Sequence, residues 1–481
     1  MSQWTPEEVH AEEPLIRTLA DYAHSSFRGS PEARATARLC MIDALGCLFE
    51  AQTFPACMKL MGPVVPGAVL AGGARVPGTS WQLDPVQAAF NVGSMIRWLD
   101  YNDTWLAAEW GHPSDNLGAI LAVADWVSRQ ARASGGHTVT VGEVLTALIK
   151  AYEIQGVLAL ENSFNRVGLD HVVLVKVAST AMSCVLMGAS RGETANALTH
   201  AFVDGQSLRT YRHFPNTGSR KSWAAGDATA RAVRLALVAM TGEMGIPTVL
   251  SAKDWGFQDV LFKGRELVLP QELASYVMEN VLFKISYPAE FHAQTAVEAA
   301  LRLHPMVKDR LADIAEIRIV THEAAVRIID KRGPLTNPAD RDHCIQYMVA
   351  VPLIFGRLGA ADYENEVAGD PRIDALRAKM TVTERECYSR DYLDPAKRSI
   401  ANSIEIVMAD GSRVGPVDVA YPIGHRRRRE EGTPLLLAKF ERSLALRFAA
   451  RQQRLIRDAV GDPEAFERMP VSDLLDRMVL A

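Results

Sequence analysis

Cysteine is scarce and scattered in this chain: Cys40, Cys47, Cys57, Cys184, Cys344 and Cys387 are the only six in 481 residues, and no two form a C-x-x-C pair. That pattern suggests neither a zinc site nor a disulfide framework, and it fits a reducing compartment. GxGxxG and P-loop spacings are both missing, so a nucleotide or nicotinamide cofactor has no support. No apolar run reaches the roughly 18 residues that a membrane span needs. The start, MSQWTPEEVHAEEPL, lacks the basic head and apolar stretch of an export signal, so a soluble cytoplasmic protein is expected. Neither sign of charge is in large excess, and a formal net charge of -5 gives no reason to expect a nucleic-acid partner. Internal repeats and low-complexity segments are absent as well.

What is present is ordinary globular text, 48% hydrophobic and 23% charged, in a chain longer than one hydrophobic core usually organises. Leu15, Ile16, Leu19, Ala20 and Tyr22 follow a helical repeat, and Ser30-Pro31-Glu32 opens a second helix with an N-cap and a first-turn proline. Asp84-Pro85 caps a small-residue helix, and 116–132 and 141–160 read as long helices buried on most faces. Asp43 sits on an otherwise apolar helix, either bonded to a neighbouring helix end or used in chemistry. The text changes near residue 277: IAEIRIVTHEAAV and SIEIVMADGSRVGPVDV read as strands, the second a hairpin turning at Asp410-Gly411. Asn337 to Arg357 reads as a helix carrying His343, Gln346 and Tyr347. The expected fold is mainly α: a large all-helical domain built from both chain ends (1–276 and 416–481), with a smaller α+β domain (277–415) inserted. The basic run at 425–429 reads as a solvated connecting loop.

Two polar islands interrupt the apolar helices. WLDYNDTWLAAEWGHPSDNLGAI, residues 98–120, packs Asp100, Asp103, Thr104, Glu109 and His112 beside three tryptophans. Ionisable groups at that density cost folding energy unless they are paired or used. SLRTYRHFPNTGSRKSWAAGD, residues 207–227, gathers Arg209, Arg212, His213, Arg220 and Lys221 around a turn, as an anion site or as a solvated basic loop. His171, just before an apolar helix, reads as a helix-end histidine or as a functional one.

D-Y-N-D-T-W, G-H-P-S-D-N, L-D-H-V-V, N-T-G-S-R-K-S-W-A-A-G-D-A and F-K-I-S-Y-P-A-E-F-H-A-Q-T, in that order over nearly the whole chain, resemble the MmgE/PrpD family. The late Y-P-I-G-H-R-R-R-R segment is similar to the dehydratase branch of that family. The resemblance implies a large helical domain, a smaller α+β lid domain, an active site in the cleft between them and a homodimer. It also implies cofactor-free removal of water from 2-methylcitrate, in the methylcitrate cycle of propionate catabolism. Carried over by position, the site residues are Asp100, Thr104, His112, His171, Lys221 and Lys284, with Tyr347 from the lid helix. One departure is the segment LAAEWG between Trp105 and His112, longer than in the decarboxylase branch.

Such a dehydration needs a base for the C–H proton, an acid for the departing hydroxyl, and cations for three carboxylates. His112 and His171 are the expected acid–base pair, with Asp100 orienting one of them. Lys221 and Lys284 would hold carboxylates, helped by Arg220 and Arg212, and Thr104 would donate to substrate. Asp103 and Glu109 read as supporting residues bonded to indole or backbone N–H groups. No metal or other cofactor is expected. Three rival readings stay open: a cis-aconitate decarboxylase or other small-acid lyase or isomerase, a metal-dependent hydro-lyase using the Asp/Glu/His cluster, and a non-catalytic organic-anion-binding protein.

Overall fold

The computed structural model describes residues 12–213 and 215–480; the acidic start read at 1–11 lies outside them. Helices take up 57% of the residues and strands 8%, the mainly α architecture expected. The chain opens with α1 (Pro14–His24) and α2 (Pro31–Ala51), where the Ser30 side chain accepts from the Ala33 N–H. Next come α3 (Pro85–Arg97), capped by Asp84, then α4 (Leu117–Ser134) and α5 (Val141–Glu161), which starts with a Thr140/Glu143 capping box. They are followed by α6 (Val172–Leu186), α7 (Arg191–Val203) and α8 (Arg220–Ala239). Glycine lets α3 sit directly on α8: a Cβ at Gly226 would lie 2.1 Å from Ser94 Oγ and 2.4 Å from the Phe90 carbonyl. That contact fixes the end of α3, where the polar island begins. Among the described residues no helix is long and apolar enough to cross a membrane.

The smaller unit contains α9 (Gln294–Val307), β1 (Ile314–Thr321), α10 (Ile345–Phe355), β2 (Met380–Glu384), α11 (Glu386–Leu393), β3 (Asn402–Met408) and β4 (Arg413–Val419). Its sheet has the order β2-β1-β3-β4. β1 pairs in parallel with β2 (Ile317 opposite Met380) and antiparallel with β3 (Ile317 opposite Ile406). The β3–β4 hairpin turns at Asp410-Gly411, as its sequence implies, with Gly411 at a φ of 81°.

One hydrophobic core draws on residues 16–285 and then on 423–478, through α12 (Arg429–Arg447) and α13 (Ala450–Gly461). A second core uses only residues 287–419. Val277, Phe283 and Ile285, assigned above to the smaller unit, pack in the larger core, where Gly156 leaves the hollow that Val277 fills. Two further expectations differ from the structure. The helix read over 337–357 is broken: Pro338–Arg341 forms one turn, Asp342, His343 and Cys344 leave the helix, and α10 starts at Ile345. The basic run at 425–429 is a stitch rather than a solvated loop. Arg426 pairs with Glu32 and Arg428 with Glu298 and Glu431, while Arg429 bonds Thr36 and the Val281 carbonyl.

Candidate active site

α3 delivers Arg97 and then Asp100 to the seam between the two cores. Asp100 has a φ of 51°, a left-handed conformation uncommon for a residue with a Cβ. Its partners hold it there: Arg97 Nη1 donates to Asp100 Oδ1 at 2.7 Å, and Lys284 Nζ donates to Oδ1 at 2.5 Å and to the main-chain oxygen at 2.7 Å. Burial alone would raise this carboxyl, but Arg97 and Lys284, with His112 and His343 nearby, hold it well below the usual carboxylate range. Lys284 is itself positioned from outside the site. Asp43 on α2 and Lys439 on α12 form a buried pair at 2.7 Å, and Lys439 also donates to the Tyr101 and Lys284 carbonyls. Asp43 is therefore a structural ion-pair partner of a lysine inside the neighbouring helix, neither bonded to a helix end nor part of the cavity wall.

The LAAEWG segment is a closed turn, with Trp105 and Gly111 exchanging both main-chain hydrogen bonds at 2.8 and 3.0 Å. It presents His112, whose Nδ1 lies 2.7 Å from the Asp103 carbonyl and 3.3 Å from Thr104 Oγ1. A carbonyl only accepts, so Nδ1 carries the hydrogen and Nε2 keeps its lone pair. Burial, reinforced by Arg97 and Lys284, pushes the His112 pKa well below the usual histidine value, so the ring is neutral. The His171 ring sits 5.5 Å away, edge to face, with Nδ1 3.1 Å from Asp170 and Nε2 3.8 Å from Asp115. Gly111 lets the main chain pass close to the His171 ring, where a Cβ would lie 3.0 Å from it and 3.1 Å from the Gln155 amide.

The smaller unit contributes the residues freed by the helix break. Lys221, in the first turn of α8, donates to both Asp342 oxygens (2.5 and 2.6 Å), and His343 Nδ1 lies 3.0 Å from its ammonium. Burial would raise the Asp342 carboxyl, yet Lys221 and His343 carry it below its ordinary value. Burial and the Lys221 charge lower His343 to about 4. On the other wall Arg212 makes a two-point ion pair with Asp170, and Arg209 lies 3.6 Å from the same carboxylate. Trp110 lies between Arg209 and Arg327, each guanidinium 5.2–5.3 Å from its ring, so residues of both units meet over it.

These side chains enclose a cavity of about 20 Å³ whose wall includes Arg97, Asp100, Thr104, His112, His171, Arg212, Lys284 and His343. Lys221 stands directly behind the wall. Larger hollows exist, including one of about 670 Å³ near Lys150 and His137, away from these groups. Two expected site residues are elsewhere. Tyr347 donates its hydroxyl to the Asp362 carbonyl at 2.7 Å inside the smaller core. Arg220 stacks on Trp223 at 3.9 Å and pairs with Asp227, facing outward. Asp103 accepts from the Ser114 N–H and hydroxyl and from Tyr152, and Glu109 from the Asn165 N–H and amide, so backbone N–H groups bond them as expected but no indole does; burial lifts them to about 6 and about 7. Sequence reasoning missed Arg97, Asp342 and Glu290, and it set His343 aside.

Among the described residues the set nearest to a metal site is Asp100, Asp342 and His343, with ligand atoms within 4.8 Å of one another. Arg97, Lys284 and Lys221 already bond both carboxylates, so a divalent cation would have to displace fixed cations. That donor set suits ion pairing better than metal ligation.

The MmgE/PrpD N-terminal domain profile matches residues 17–270, and the MmgE/PrpD C-terminal domain profile matches 287–462. The chain belongs to the MmgE/PrpD family. It is 63% identical over 465 residues to a Cupriavidus necator protein named 2-methylcitrate dehydratase, covering 96% of both chains. It is 62% identical over 468 residues to the 2-methylcitrate dehydratase of Salmonella typhimurium strain LT2, covering 97% of both. A Yarrowia lipolytica protein named 2-methylcitrate dehydratase, mitochondrial, is 61% identical over 442 residues, covering 91% of this chain and 85% of its own. In this MmgE/PrpD chain Asp100 lies in the first matched segment and bonds Lys284, which lies between the two.

Proposed function

We propose that the chain is a hydro-lyase that removes water from 2-methylcitrate to give 2-methyl-cis-aconitate, as the full-length relatives' name says of them. The observation that carries the chemistry is His112: a neutral, buried imidazole with Nδ1 bound to a carbonyl and Nε2 not hydrogen-bonded, 3.6 Å from Asp100 Oδ1, beside Arg97, Lys284 and Arg212. In this reading His112 Nε2 takes the C–H proton next to a substrate carboxylate. Lys284, Arg97 and Arg212 neutralise substrate carboxylates and the charge that builds up as the proton leaves. Thr104 donates to substrate, His171 packs edge to face against His112 and holds its ring, and Lys221 holds Asp342 and His343 against the pocket. Asp100 is the fixed counter-charge that keeps the cations in place. No metal or organic cofactor takes part. The smaller unit acts as a lid, the enzyme works as a cytoplasmic homodimer, and its place is the methylcitrate cycle of propionate catabolism.

The test is a product assay on purified protein given 2-methylcitrate, citrate or cis-aconitate, without added metal. The expected product is 2-methyl-cis-aconitate, with slower turnover of citrate. Itaconate as the main product would replace this reading with a decarboxylase.

A further inference from the structure

One carboxylate in the cavity wall is not neutralised as the others are. Asp100 is tied to Arg97 and Lys284, and Asp170 behind the wall to Arg212. Glu290 also lines the cavity, yet among the described residues its only ionic partner within 4.0 Å is a histidine. His292 Nδ1 lies 2.7 Å from Glu290 Oε1, and the His292 main-chain N–H donates to Oε2 at 2.8 Å. A carboxylate has about four acceptor positions, so these bonds leave two of them open. An anion in the wall of a site for a tricarboxylate repels its ligand unless it faces a proton, and the substrate proposed above has one alcohol to supply it.

His292 is fully buried, and each ring nitrogen has an oxygen partner: Glu290 on Nδ1, and the Tyr392 hydroxyl 3.2 Å from Nε2. A carboxylate on Nδ1 and a hydroxyl that can accept on Nε2 leave room for hydrogen on both nitrogens. The neighbouring His322 ring, 5.2 Å away, is stacked on Tyr392, and burial keeps it neutral, so no second cation competes. Tyr392 and His322 also border an outer cavity of about 230 Å³, separated from the first by Trp110.

We propose that Glu290 and His292 form the acid couple that protonates the departing hydroxyl, and that Tyr392 links this couple to the outer cavity. The inference rests on the dehydration proposed above. His112 Nε2 takes the C–H proton, and the C–H electron pair becomes the new C=C bond. The C–O bond breaks with its electron pair on oxygen. That oxygen takes the proton passed from His292 Nδ1 through Glu290 and departs as water. His112 ends protonated and His292 neutral, so one proton is taken and one given, and solvent exchange through the outer cavity restores the couple. Glu290 is the catalytic residue and His292 its positioning and proton-supplying partner.

The variants Glu290→Gln and His292→Asn separate this role from packing. Asparagine at 292 keeps an N–H near the Nδ1 position but cannot ionise. Each variant is expected to lose kcat by about 100-fold or more while KM changes less than about threefold. Formate should restore Glu290→Ala by about tenfold, because it returns a carboxylate to the wall. A citrate-induced rise in Tm equal to the parent's identifies folded variants; if His292→Asn lacks it, Glu290→Gln and the formate rescue decide. Parent turnover of 2-methylcitrate with either folded variant above about a third of parental kcat, or with no formate rescue, overturns this inference alone. A parent that makes no 2-methyl-cis-aconitate overturns the dehydration as well.

Discussion

His112 illustrates how a side chain's role follows from its two ring nitrogens. The Asp103 carbonyl takes the Nδ1 hydrogen, and burial with two nearby cations disfavours a second proton on Nε2. An ordinary histidine is half protonated near pH 6.5. Because the His112 pKa lies well below that value, the basic form persists as pH falls through 6.5 and is lost only on further acidification. The acid limb of kcat/KM is therefore expected below pH 6.5; a limb at or above it, together with unimpaired turnover in His112→Ala, would rule His112 out as the base. This residue was legible in the sequence, because Asp100, Thr104 and His112 lie close together in one polar island. Its electrostatic partners were not. Arg97 looks like the last turn of a helix, Glu290 is one glutamate in a loop, and Asp342 and His343 lie more than a hundred residues from Lys221. Their meaning exists only once two separate cores bring them within bonding distance.

Elements far from the cavity hold it in shape. α2 and α12 come from opposite ends of the chain, and Lys439 uses its three hydrogens on Asp43, the Tyr101 carbonyl and the Lys284 carbonyl. Both partners of the ion pair are about 2% exposed, so removing the carboxylate strands an ammonium in the core. Asp43→Ala is expected to lower stability by about 3–5 kcal/mol in urea unfolding and to reduce turnover through looser placement of Lys284. A volume-matched Asp43→Leu/Lys439→Met double variant should lose less stability than the single variant, yet recover little activity because two carbonyls lose their donor. A double variant as active as the parent would show that the pair serves only the fold. The helix break at 342–344 is the same lesson in reverse. Hydrophobic periodicity from Ile345 onward reads as helix, but nothing periodic marks where helix gives way to a turn that meets Lys221 from another element.

At the scale of the whole molecule, the division into two cores sets how substrate enters. A cavity of about 20 Å³ has room for about one water, which needs roughly 10–15 Å³ of such space, so a tricarboxylate does not fit in this arrangement. The larger and smaller units share the walls, and contacts between them include the buried Lys221–Asp342 pair, Arg398 on the Leu106 carbonyl, Arg209 and Arg327 against Trp110, and Arg327 Nη1 on Asn165 Oδ1 at 3.1 Å. Opening by separation of the units therefore has to break the buried Lys221–Asp342 pair and part Leu106 and Leu282 from Phe291, Tyr392 and Ile400, while the two main cores stay intact. Five of the six cysteines are buried and Cys387 is half-exposed. A Cys387→Ser background with cysteines at 165 and 327 thus allows selective tethering by a reducible bismaleimide. Tethered protein is expected to lose most of its turnover and to regain it on reduction, while the Cys387→Ser parent stays indifferent to the reagent. Undiminished turnover in the tethered form would mean that substrate enters by a route other than separation of the two units.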